Sequence, residues 1–267
     1  MKLIKRDPEF IDPIGLVEES PLVAELNKAL DADPENPQRY LDLGFQLCEE
    51  SLFREGLEVY SKGLELFPDN AMLYRARAEQ YLNCWQLYEC QADSVKATAM
   101  LPKDWNSWYH YAVSSYYLQE YKKCEELSRY LISVCEDEDS KIPPLCWLYR
   151  SLMMQGRKDE ANKAIEIFYE GMDHIDWHDD YYDCLRLYRG WVKPEELLDK
   201  CYRQFPIRDW KTSVYSYTVF YGVANWYYLN GDVEKYRELR EQEIEFRFNF
   251  PRAFAYCGCL YEKALGM

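Results

Sequence analysis

The segment "GMDHIDWHDDYYD", residues 171 to 183, gathers the residue types that hold metals: His174 and His178, with Asp173, Asp176, Asp179 and Asp180 around them. A spacing of four is close to one helical turn, so a helix here would put both imidazoles on one face, where Asp179 could complete a metal site. A zinc-protease helix would also need a Glu beside the first His, and none is present. The competing expectation is a solvated loop leading into a helix start, where the helix dipole favours aspartate, and that reading is favoured over a metal site. His110 is the only other histidine, and a lone histidine serves packing more often than catalysis.

Other chemistry is harder to assemble. There is no Gly-rich phosphate loop, no Gly-x-Ser-x-Gly elbow and no kinase signature. The acidic run "CEDEDS" at 135 to 140 reads as a solvated turn. Ten cysteines contain no Cys-x-x-Cys pair; the closest groupings are Cys84 with Cys90 and Cys257 with Cys259. Two residues apart on a helix, side chains diverge by about 200°, so Cys257 and Cys259 would not readily share a metal. No cofactor is expected. A helical enzyme with a metal or small-molecule site near residues 171–183 stays as an alternative, because helical catalysts can build sites from scattered residues.

The chain of 267 residues is 48% apolar and can bury a large core. Its formal charge of -15, from 47 acidic and 32 basic residues, argues against nucleic acid as a ligand, since phosphate binding needs a basic surface. No run of 18 apolar residues is present, and "MKLIKRDPEF" lacks the apolar stretch of a signal peptide, so no membrane association and a cytoplasmic location are expected. Reduced cysteines fit that location.

The elements that would position any site are legible in a repeat. "ELFPDNAMLYRARAEQYL" has counterparts 34 residues before and after it, with prolines at Pro34, Pro68 and Pro102. Three units follow, 37–70, 71–104 and 105–138. The eighth position is small in each (Gly44, Ala78, Ala112), and so is the twentieth (Gly56, Cys90, Cys124, then Ala161 in a fourth unit beginning near Ile142). Small side chains at fixed intervals let paired helices approach while aromatics fill the remaining space. Gly156 ends a helix in the fourth unit, Gly190 and Pro194 mark a degenerate pair, Gly231-Asp232 turns a final pair, and a closing helix follows Pro251. Before the repeats, Ser20 and Pro21 cap a half-unit.

This pattern resembles the tetratricopeptide repeat, firmly over residues 20 to 171 and loosely over 176 to 265. The resemblance implies an all-α, right-handed helical solenoid of helix-turn-helix repeats. Its segments would be 1–36 as a capping half-repeat, 37–171 as four repeats, and 172–267 as degenerate repeats with a capping helix. In this family the first helices of successive units line a concave groove. The corresponding positions here give Arg75, Asn106, Tyr109, Tyr116, Tyr117, Arg150, Tyr221, Asn225 and Tyr228 as candidate contacts for a protein or peptide partner. Arg75 and Arg150 are expected to pair with internal carboxylates. The family's clamp for chaperone tails is disfavoured, because Leu41, Phe45 and Ala76 stand where it wants Lys and Asn. The expected role is an adaptor or scaffold, with a self-associating homo-oligomer as a further alternative.

Overall fold

A computed structural model describes residues 3–5, 16–50, 52–174, 178–204, 210–246 and 254–267. Two short strands, β1 (Leu3–Lys5) and β2 (Leu16–Glu18), pair antiparallel. All other regular structure among the described residues is helical. The contacts divide the chain into two units, Met1–His110 and Tyr111–Met267.

The first unit holds α1 (Pro21–Ala32), then the pairs α2 (Pro37–Glu49) with α3 (Phe53–Leu66) and α4 (Ala71–Asn83) with α5 (Leu87–Met100), and the start of α6 (Trp105–Tyr117). The Ser20 hydroxyl accepts from Val23 N with Pro21 at the first helical position, as the half-unit reading expects. Each 34-residue interval closes with the same turn. Phe67 N bonds to Gly63 O and Leu101 N to Ala97 O, after which Asn70 caps α4 through Leu73 N, and Asp104 accepts from Ser107 N. The recurring proline has a partner as well. Tyr40 Oη donates to Pro34 O at 3.1 Å, and Trp108 Nε1 to Pro102 O at 3.0 Å, so an aromatic in the first turn of α2 and of α6 ties back to the preceding turn.

Helix approach explains the small residues. A Cβ on Gly44 would lie 2.3 Å from the Tyr60 ring, a contact only hydrogen can occupy. Ala78, Cys90 and Ala97 are fully buried in the next pair. Beneath Tyr81, Arg77 forms two bonds to Asp93 (2.7 and 3.0 Å) and a third to Ser61, and so joins α3, α4 and α5. The core around these links is Tyr40, Phe53, Tyr60, Leu73 and Tyr74, extended toward α1 by Val23, Leu43 and Leu47.

The second unit holds the rest of α6, then α7 (Tyr121–Val134), α8 (Ile142–Met154), α9 (Lys158–Ala164), α10 (Asp179–Tyr188), α11 (Pro194–Gln204), α12 (Trp210–Leu229), α13 (Val233–Phe246) and α14 (Phe254–Ala264). The degenerate pair is α10 and α11, and the final pair is α12 and α13. Tight turns between paired helices pass through left-handed backbone. Gly156 (φ 73°) and Gly231 (φ 89°) supply it after α8 and α12, whereas Gln119 takes it at φ 61° after α6 despite its side chain.

Candidate functional site

Arg150 lies on α8 in the second unit, fully buried. Its Nε donates to Tyr188 Oη at 2.7 Å and its Nη2 reaches Cys184 Sγ at 3.7 Å, both on α10. The guanidinium carbon sits 4.9 Å from the Trp147 ring centroid, 5.2 Å from Tyr221 and 5.7 Å from Tyr188. Three electron-rich faces around a desolvated cation are each worth on the order of 1–2 kcal/mol. Gly222 on α12 makes room for this arrangement, since its missing side chain would meet Cys184 Sγ at 2.3 Å and Arg150 Nη2 at 3.1 Å. Tyr149 stacks on Tyr188 at 4.5 Å and holds that ring in place.

The expected carboxylate partner for Arg150 is therefore replaced by rings and a phenol, because the helices that surround it present aromatics. Among the described residues no carboxylate lies within ion-pair distance of it. Arg75, in the first unit, does pair internally: its Nε is 3.4 Å from Asp104 Oδ2.

The second unit brings together five of the nine nominated residues, Arg150 with Tyr116, Tyr117, Tyr221 and Asn225. Tyr116 and Tyr117 meet Trp147 edge-on at 5.0 and 5.7 Å, and Tyr117 meets Tyr221 at 6.2 Å. Tyr116 Oη donates to Asn225 Oδ1 at 3.4 Å, and Asn225 Nδ2 to Tyr221 O at 3.0 Å. All five are buried, so the expectation that they line an open groove needs correction. The face they form is covered by α14. Tyr117 Oη donates to Phe254 O at 2.8 Å, while Tyr221 Oη and Tyr236 Oη both donate to Glu262, each at 2.6 Å. Cys259 Sγ donates to Glu243 Oε2 on α13 at 3.1 Å. Tyr228 is half-buried and packs against Tyr236 at 5.0 Å. In the first unit, Tyr109 is buried and stacks on Trp105 at 4.5 Å, and Asn106 is half-buried.

The electrostatics follow from burial. Glu262 and Glu243 are both pushed above the usual carboxylate range by loss of water, which the Tyr221 and Tyr236 hydroxyls partly offset at Glu262. Asp180, at the start of α10, is pushed up to about 7 by burial against the opposing hydrogen bonds of Thr218 and Tyr181 N. His110 is pushed down to about 3 by burial, with the Arg75 charge adding to it, so it is a neutral packing residue. The carboxylates Glu243 and Glu262, with Cys184, Tyr188 and Gly222, are the residues of this cluster that sequence reading missed. They come from four different helices and share no spacing.

The histidine segment takes a different form from a helical metal face. Helix α10 begins at Asp179, which leaves His174 ahead of it and His178 at its cap. His174 Nε2 lies 3.1 Å from Asp179 Oδ1, with its ring stacked on Tyr182, whereas His178 Nδ1 lies 2.8 Å from Asp139 Oδ1. The two imidazoles thus engage separate carboxylates, and no group of three or more potential metal ligands forms among the described residues. Asp176 lies outside them. No helix among the described residues is long and apolar enough to cross a membrane.

No protein-family model matches the sequence, and no curated protein matches it. Solved structures do match in shape. A tetratricopeptide repeat protein from Parabacteroides merdae ATCC 43184 superposes with a TM-score of 0.56 at 16% identity, over 90% of this chain and 91% of that one. YrrB, described as a TPR protein with an unusual peptide-binding site, gives 0.50 at 14% identity, over 91% and 99%. MamA gives 0.51 at 20% identity, over 54% of this chain and 82% of that one. The fold is that of the tetratricopeptide-repeat proteins, an all-α array of helix pairs, as the 34-residue spacing implies.

Proposed function

We propose that the chain is a cytoplasmic adaptor or scaffold that holds a peptide segment or partner protein on the faces presented by the first helices of its repeats. The observation that carries this reading is α14: the face built by Tyr117, Tyr221 and Asn225 already takes up one helix by its buried stripe. The peptide-binding site ascribed to YrrB on the same fold supports it, and the charge of -15 points to a protein rather than a nucleic acid. In the first unit half-buried Arg75 and Asn106 would touch a partner, with buried Tyr109 shaping that unit's face; in the second, half-buried Tyr228 would do so, with buried Tyr116, Tyr117, Arg150, Tyr221 and Asn225 shaping its own face.

The half-buried residues make the test, because their replacement leaves the core intact. Affinity recovery from native cell extract should return a partner with the intact protein and lose it with Arg75→Ala, Asn106→Ala and Tyr228→Ala combined, at unchanged helical circular dichroism. The same partner recovered equally by the folded variant would refute the reading.

A further inference from the structure

Helix α14 has the anatomy of a bound ligand. Ala255, Gly258, Cys259 and Glu262 are its buried described positions, spaced i, i+3, i+4 and i+7, which is the stripe by which a helix lies in a groove. Each position meets a specific demand. A Cβ at Gly258 would lie 2.5 Å from the Tyr117 ring, so only glycine fits there without displacing the ring. Glu262 is clasped by two tyrosine hydroxyls, one of which belongs to the ring that faces Arg150.

The fit is nonetheless incomplete. A fully buried polar atom of the residue that Cys259 meets, Glu243 Oε1, lacks a hydrogen-bond partner, and such an atom costs about 1–3 kcal/mol. What α14 offers Glu243 is a thiol, a weak donor. An 11-residue helix also has little stability of its own to hold it in place. The face is therefore selective for a pattern that α14 matches at two positions and misses at a third.

We propose that α14 is an intramolecular stand-in, and that the face it covers binds a helical segment of a partner protein carrying glycine, then a short polar residue, then an acidic residue three further on. These correspond to positions 258, 259 and 262. The short polar residue supplies Glu243 with the partner that Cys259 gives poorly, since Ser matches Cys in volume and is a stronger donor and acceptor. Burial pushes the Glu243 carboxyl pKa up, and a hydroxyl can either accept from a carboxyl or donate to it. This inference rests on the scaffold reading and names the partner of one of its faces.

The test uses a fluorescein-labelled peptide of residues 254–267 with Cys259→Ser, added to the full chain. Gly258→Leu in the full chain drives α14 against Tyr117 and empties its seat. The peptide should bind that variant at least 10-fold more tightly than it binds the wild type. It should exceed the unsubstituted peptide about 3-fold and lose at least 10-fold on Glu262→Lys. Should Gly258→Leu fail to fold, hydrogen exchange on the wild type replaces it: excess Ser peptide should speed exchange in the chain's own 254–264 without speeding it in α12. Absent binding, binding indifferent to the three positions, or no change in exchange would overturn the proposal. So would a wild-type dimer formed by exchange of α14 between two copies, which would make a second copy the occupant. A partner that still depends on Arg75, Asn106 and Tyr228 while the peptide fails would leave the scaffold reading standing and sink this one alone.

Discussion

Replacing Asp180 by Asn isolates the cost of one buried carboxylate. Asp180 is 4% exposed, accepts from Tyr181 N at 2.7 Å, and has its pKa pushed up to about 7 by burial from an ordinary value of 3.8. Because the folded value lies above the unfolded one, the native state holds the proton more tightly between roughly pH 4 and 7. The contribution of this group is therefore fully present at low pH and is lost as pH rises through that window, after which it is flat. Asn keeps the oxygen acceptor for Tyr181 N and carries no proton in either state. The stability of Asp180→Asn relative to wild type should therefore rise by about 3 kcal/mol between about pH 5 and pH 8, since each pH unit below the folded pKa contributes about 1.4 kcal/mol. Glu243 and Glu262 are raised in the same direction and leave a residual slope of the same sign in both proteins. Urea unfolding followed by circular dichroism at the two pH values measures the difference. A stability difference that does not change with pH would refute the argument that burial holds Asp180 protonated.

Three further outcomes follow from the packing. Gly222→Ala places a methyl against Cys184 Sγ and should lower stability by about 1–3 kcal/mol, with Cys184→Ala in the same chain restoring most of it in urea melts. Arg77→Met leaves the buried Asp93 without its cation and should cost about 3–5 kcal/mol, read the same way, with Asp93→Asn as the partial rescue. Gln119→Gly relieves a left-handed backbone position and should raise the thermal midpoint, worth about 0.5–1 kcal/mol after the extra chain entropy of glycine is counted.

The repeat was legible because each unit solves the same local problem. Pro34 and Pro102 give carbonyls to aromatics six residues on, Asn70 and Asp104 cap the helices that follow, and Gly44, Ala78 and Cys90 sit where helices touch. The candidate face was legible only in part. Tyr116, Tyr117, Tyr221, Asn225 and Arg150 do come together in the second unit, but repeat position alone could not show that they would be covered. It also misjudged Arg150, whose surroundings are rings on α8, α10 and α12. For His174 and His178 the favoured expectation of a loop leading into a helix start matches the structure, in which α10 begins at Asp179 with Asp179 and Asp180 in its first turn.

The sequence by itself determined the helix pairs, their turns and the small residues between them, since those depend on neighbours within one or two units of 34. Only the tertiary structure decided which face is open and which is filled. Tyr117 meets Phe254 across 137 residues, and Tyr221 meets Glu262 across 41. Contacts at such separations obey shape and charge complementarity between distant helices, which leave no periodic mark in the chain.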